Sequence, residues 1–161
     1  MTTKTDYTDQ EWEGLLQAPL MAGFYIIMAD ISVTGMGKEL KGLYQAVLAQ
    51  QAPEAAQELV AAVTADIVAR SQQKGALEQP KLEENQDPRP QILNALQQDL
   101  AVLDEKSTPE EKAGYSAWLV NVAQATAEAG REGGFLGIGS VRVSEQEKTA
   151  LAGLQQALGL A

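Results

Sequence analysis

The chain contains neither cysteine nor histidine, and these two absences remove more chemistry than any other feature of its composition. Without thiolate or imidazole there is no structural zinc, no iron-sulfur cluster, no haem held through histidine and no Ser-His-Asp catalysis. A metal ion bound here must be held by oxygen. No disulfide ties the chain to an oxidising compartment. Positive charge is also scarce. Twelve Lys and Arg stand against 22 Asp and Glu, a net charge of −10, which repels phosphate backbones and anionic membrane surfaces and favours cations or basic partners. Nucleic-acid binding is not expected. The longest uncharged stretch, residues 14–29, has Pro19 inside it and falls short of the roughly 20 residues a membrane-spanning helix needs. Residues 1–7 lack the basic-then-apolar pattern of a secretory signal. A cytoplasmic protein that inserts into no membrane is the expectation.

What the chain has in quantity is Ala, Leu, Gln and Glu, with almost none of the β-branched alternation that marks strands. Propensity and period therefore both predict an all-α fold, and 161 residues with 45% apolar content suffice for one core and one domain over residues 1–161. Thr8-Asp9-Gln10-Glu11 is a capping box that opens the first helix. Pro19 is expected to break or restart that helix near Ala18, with Leu20 to Met28 forming a central apolar segment. Leu40, Leu43, Tyr44, Val47 and Leu48 recur at helical spacing and predict one buried stripe. Pro53 opens a helix with Leu59, Val60, Val63, Ile67 and Val68 inward. Residues 73–90, with Gly75 and three prolines among Glu83, Glu84 and Asp87, predict a mobile loop. Pro90 starts a further helix carrying Ile92, Leu93, Leu96, Leu100 and Leu103. Ser107-Thr108-Pro109-Glu110-Glu111 is a cap followed by a first-turn proline and carboxylates, and it opens a helix through Tyr115, Trp118, Leu119 and Val122. Residues 131–143 form a glycine-rich apolar loop. Ser144-Glu145-Gln146-Glu147 is another capping box, and Leu151, Leu154 and Leu158 face inward after it. The result is a bundle of about seven helices.

Its two ends look alike. Each is an apolar helix, a glycine-containing loop edged by carboxylates, and a helix with an acid in its first turns: Asp30 with Glu39, and Glu128 with Glu147. Antiparallel packing of the two helical hairpins would allow these four carboxylates to converge. Ala29-Asp30, Gly35 and Glu39 resemble the first hairpin of the TerB-like tellurite-resistance proteins, and Ser144-Glu145-Gln146-Glu147-Lys148 running to Ala157-Leu158-Gly159 is similar to the second. The family carries Asp-Gly directly after the helix in its second loop, where this chain has Ala127-Glu128-Ala129-Gly130 and the long glycine loop. The resemblance implies an all-helical cytoplasmic domain associated with stress and tellurite resistance, with acidic residues that bind divalent cations.

The candidate sites follow from oxygen ligands and exposed loops. With Asp30 as the first position of a calcium-type loop, Ser32 and Thr34 fall at the third and fifth positions and Gly35 at the turn. Lys41 stands where the last bidentate ligand belongs, and Glu39 arrives two residues early. The metal candidates are Asp30, Ser32, Thr34, Glu39, Glu128 and Glu147, with calcium or magnesium as the cation. The bland reading of the same residues is a helix end followed by a cap, Asp30 and Ser32 closing one helix and Thr34 opening the next. Gly133, Gly134, Gly137 and Gly139 invite a phosphate-loop reading, but Gly-Lys-Ser/Thr is missing and a helix precedes them in place of a strand. No nucleotide site is expected. Phe135, Leu136 and Ile138 either tuck onto the core or form a surface for a protein partner. Trp12 and Trp118 read as core anchors. No nucleophile or acid-base constellation can be named, so a non-catalytic protein is expected.

Overall fold

The computed structural model describes all residues except 31–35, 74–80, 132–142 and 161, and the side chains of Met36 and Arg131 are likewise outside the description. Among the described residues there are six α-helices and no strand: α1 (Asp9–Ala29), α2 (Met36–Ala49), α3 (Gln57–Ser71), α4 (Pro88–Lys106), α5 (Pro109–Arg131) and α6 (Glu145–Ala157). Short 3₁₀ turns at Lys4–Asp6 and Glu54–Ala56 lead into α1 and α3. None of the described helices is long and apolar enough to cross a membrane.

Among the described residues the two helices expected on either side of Pro19 are one, because α1 runs through the proline without a break. A helical proline has no N–H to give the carbonyl four residues back, which here belongs to Leu15. The buried hydroxyl of Tyr115 on α5 donates to that carbonyl at 2.6 Å. A tertiary donor thus replaces the lost helical one. α1 is buried along one continuous stretch from Trp12 to Ile27, which takes in most of the Leu20 to Met28 segment and begins well before it, while Phe24 within that segment is 43% exposed.

α5 is the other central element, burying Tyr115, Trp118, Leu119, Val122 and Ala123 against α1 and α2. The Tyr115 and Trp118 rings meet edge-on with centroids 5.4 Å apart. α2 meets α5 along small residues. A methyl group added at Gly42 would collide with Ala129, so the two backbones come as close as the glycine allows. This rotates α2 toward its small-residue edge. Of the expected stripe, Leu43 and Val47 are buried, while Leu40, Tyr44 and Leu48 are each about two-fifths exposed.

The capping boxes at Thr8 with Glu11 and Ser144 with Glu147 both form, and Thr108 accepts the Glu111 N–H at 3.1 Å. α4 starts at Pro88, two residues before Pro90, because Asp87 caps it by accepting the Arg89 N–H at 3.0 Å. The 73–90 loop is therefore shorter at its far end than its composition predicts; residues 74–80 lie outside the described residues. The glycine-rich 131–143 segment falls almost wholly outside them too, apart from Val143, which packs against the core.

Candidate functional site

The carboxylates that the hairpin comparison singles out lie at helix ends. Glu39, in the first turn of α2, is only 3% exposed. Its side chain lies across Gly130 near the end of α5, so closely that a methyl group there would overlap the carboxylate and its Cγ. The acid of the first hairpin therefore rests on the helix that leads into the second loop. Asp30, half-buried, closes α1. Glu147 is buried in the first turn of α6, where one of its oxygens accepts the Ser144 N–H at 2.8 Å. Glu128 is half-buried on α5 and accepts from the Gln124 amide at 3.2 Å.

Among the described residues no three or more acids come together as a group that could hold a metal ion. Asp30, Glu39, Glu128 and Glu147 thus do not form the convergent cluster that the hairpin likeness predicts. Local structure supplies the reason for two of them. Glu147 is engaged in its own helix cap, and Glu128 turns to a groove between α2 and α5. Ser32 and Thr34, the hydroxyl candidates, and Phe135, Leu136 and Ile138, the partner candidates, lie outside the described residues.

The groove beside Glu128 is a feature the sequence did not announce. It has a volume of about 250 Å³ and a floor of small residues, with Gln45 and Gln51 on the α2 side and Trp118, Asn121 and Glu128 on α5. Trp12 and Trp118 are both buried, as expected for core anchors, yet their indole nitrogens differ. Trp12 Nε1 donates to Asp66 at 2.7 Å, whereas the enclosed Trp118 Nε1 has no hydrogen-bond partner. An unpaired buried donor costs about 1–3 kcal/mol.

Two further acids, one buried and one half-buried, were not singled out from the sequence. Glu111 reads as a first-turn residue suited to the helix dipole, but it is 1% exposed and accepts both the Thr2 N–H at 2.8 Å and the Thr2 hydroxyl at 3.0 Å, tying the N-terminal residues to α5. Asp99 of α4 packs into the notch at Gly14 of α1, and burial raises its carboxyl from the ordinary 3.8 to about 6. Both fall on the apolar spacing of their helices, Glu111 in line with Tyr115, Trp118 and Val122 and Asp99 in line with Ile92, Leu96 and Leu103, so helical period was the signal that could have found them. No protein-family model, curated protein or solved structure matches this chain.

Proposed function

We propose that this protein is a non-catalytic, TerB-like helical module of the cytoplasm, associated with stress or tellurite resistance, that binds a divalent cation such as calcium or magnesium at the end of the bundle where the two hairpins meet. The observation that carries the reading is the burial of Glu39 across Gly130. A carboxylate at the contact of two helical hairpins, at a helix N-terminus and directly after an oxygen-rich loop, is an anchor suited to a hard cation. Asp30 and the hydroxyls of Ser32 and Thr34 are the remaining ligands of this proposal; Glu128, turned to the α2–α5 groove, and Glu147, held in its own helix cap, are left out of it. With few carboxylates in the set, affinity is expected to be modest.

The test is a calcium and a magnesium titration followed by melting temperature, because a ligand that binds only the folded state must raise its stability. Saturating cation should raise Tm by several degrees in the natural chain, and Glu39→Gln and Asp30→Ala should each remove the rise. A Tm that ignores both cations up to millimolar concentration ends the proposal. A second reading, a metal-free interaction module, is favoured by the exposed Leu40, Tyr44 and Leu48 on α2, apolar residues four apart on one helix face. That reading replaces the expected partner loop at residues 133–143 with a helix face.

A further inference from the structure

A Thr or Ser followed three residues later by Glu opens α1, α5 and α6, and in α1 and α6 both halves of the capping box close: Glu11 accepts the Thr8 N–H at 2.7 Å and Glu147 the Ser144 N–H at 2.8 Å. At the start of α5 the box is diverted. The Thr108 hydroxyl accepts the Glu111 N–H, but the Glu111 carboxylate turns to Thr2. Its Oε1 accepts the Thr2 backbone N–H at 2.8 Å and the Thr2 hydroxyl at 3.0 Å, while Oε2 is enclosed without a hydrogen-bond partner. Among the described residues no lysine or arginine forms an ion pair with Glu111; Lys106 goes to Glu11 and Lys112 to Asp104. A carboxylate buried among neutral donors carries a desolvation cost that an opposite charge offsets far better.

The atom already in place for that charge is the Thr2 nitrogen. As an amide it donates one bond; as a free α-amine it is an ammonium with three donors. Thr2 is pinned independently of Met1, because its hydroxyl lies 2.6 Å from the Tyr7 hydroxyl and the N–H of Thr3 donates to Asp6 at 2.7 Å. Met1 is 65% exposed and adds little packing, so its removal leaves the nitrogen where it stands. We propose that the peptide bond between Met1 and Thr2 is cleaved in the working protein and that the freed Thr2 ammonium is the ion partner of Glu111. Hydrolysis adds water across the bond: the Met1 carbonyl carbon takes the oxygen and departs as a carboxylate, and the Thr2 nitrogen takes up the protons that make it an ammonium. The catalyst is a peptidase that accepts methionine before a side chain as small as threonine and acts before Thr2 is buried. What points to this bond is the buried carboxylate on the Thr2 nitrogen, not the place of Met1 in the chain. The site is separate from the cation site proposed above, since Glu111 and Gly130 stand about 28 Å apart along α5 at 1.5 Å per residue.

The intact mass of the full chain, expressed in bacteria from a gene that encodes Met1, should be lower by one methionine residue. Two chains released from a cleavable fusion, one beginning at Met1 and the other at Thr2, then isolate the ion pair. The chain with Thr2 first should have an unfolding equilibrium constant about tenfold smaller, the difference between a charge-assisted and a neutral hydrogen bond. Glu111→Gln, which keeps the size of the side chain and an acceptor oxygen, should remove that advantage, so that the two chains unfold alike. Retention of Met1 in the expressed chain overturns the proposal, and so does equal stability of the two chains. An equal cost of Glu111→Gln in both would show that the carboxyl gains nothing from the ammonium, and overturns it as well.

Discussion

At the scale of single residues, the decisive contact is the one between Tyr115 and the Leu15 carbonyl. Pro19 withdraws a donor from a helix in the middle of the core, and Tyr115, itself fully buried, returns one from another helix. Burial holds the phenol well above its usual range, with Asp99 and Tyr7 adding to the effect, so the hydroxyl keeps its proton and remains a donor. Tyr115→Phe leaves a buried carbonyl without its partner and should cost about 1–3 kcal/mol in denaturant unfolding. In a Pro19→Ala background the helix supplies its own N–H to Leu15, and the same change should cost at least 1 kcal/mol less, roughly the value of one hydrogen bond. Equal costs in both backgrounds would show that Tyr115 does not compensate for the proline.

At the scale of elements, the interface between α2 and α5 depends on the absence of side chains. Gly42 faces Ala129 and Gly130 faces Glu39, each without room for a methyl group. Gly42→Ala gains up to about 1 kcal/mol in helix propensity, but it overpacks a contact between two rigid helices, which costs typically about 1–3 kcal/mol. The net effect should be a loss of stability, and Ala129→Gly should recover part of it when combined. A stabilised Gly42→Ala single variant would mean that α2 is not held at this distance. The same packing explains why Leu40, Tyr44 and Leu48 are exposed although their spacing marks a buried stripe. Spacing defines how wide the apolar face of α2 is; only its neighbours decide which part of that face is covered. Phe24 on α1 is exposed on the same grounds.

At the scale of the whole molecule, acids with opposite shifts set the pH dependence of stability. Asp99 holds its proton more tightly folded, at about 6, than in its ordinary state at 3.8. The folded chain therefore takes up this proton first as pH falls, and the contribution of Asp99 to stability rises from pH 7 through 6 toward 4. Asp66 runs the other way. Burial alone would raise it, but hydrogen bonds from Lys4 and the Trp12 indole, with Arg70 alongside, bring it below the usual range. Glu11 is likewise lowered, by Lys106 and by the Thr8 N–H. Their stabilisation is present above the ordinary carboxylate value and is lost as pH falls below it. Thermal unfolding across pH should show maximum stability between about 4.5 and 6. Asp99→Asn should raise stability at pH 7 by about 1 kcal/mol, a figure reduced for the solvent access that Asp99 retains, and should flatten the profile between pH 5 and 7. An unchanged slope in that window would assign the dependence to other groups.

Much of the architecture was legible in the residues alone. Helix starts are local events, in which a side-chain oxygen meets a backbone N–H within three residues, so Thr8, Thr108 and Ser144 mark their helices without reference to the rest of the chain. Composition and apolar period determined the helical class and most of the core, from Leu15 and Leu16 through Leu59, Leu96 and Leu154. The continuity of α1 past Pro19, the exposure of three of the five residues of the α2 stripe and the partners of Glu39, Asp99 and Glu111 were decided only by tertiary structure. Each depends on a partner distant in sequence: Tyr115 for the proline, α5 for the stripe and for Glu39, Gly14 for Asp99, and Thr2 for Glu111. The groove with the unpartnered Trp118 indole belongs to the same class. A period of 3.6 residues tells which side chains share a face, and it carries no information about how closely, or at what rotation, another helix will meet that face.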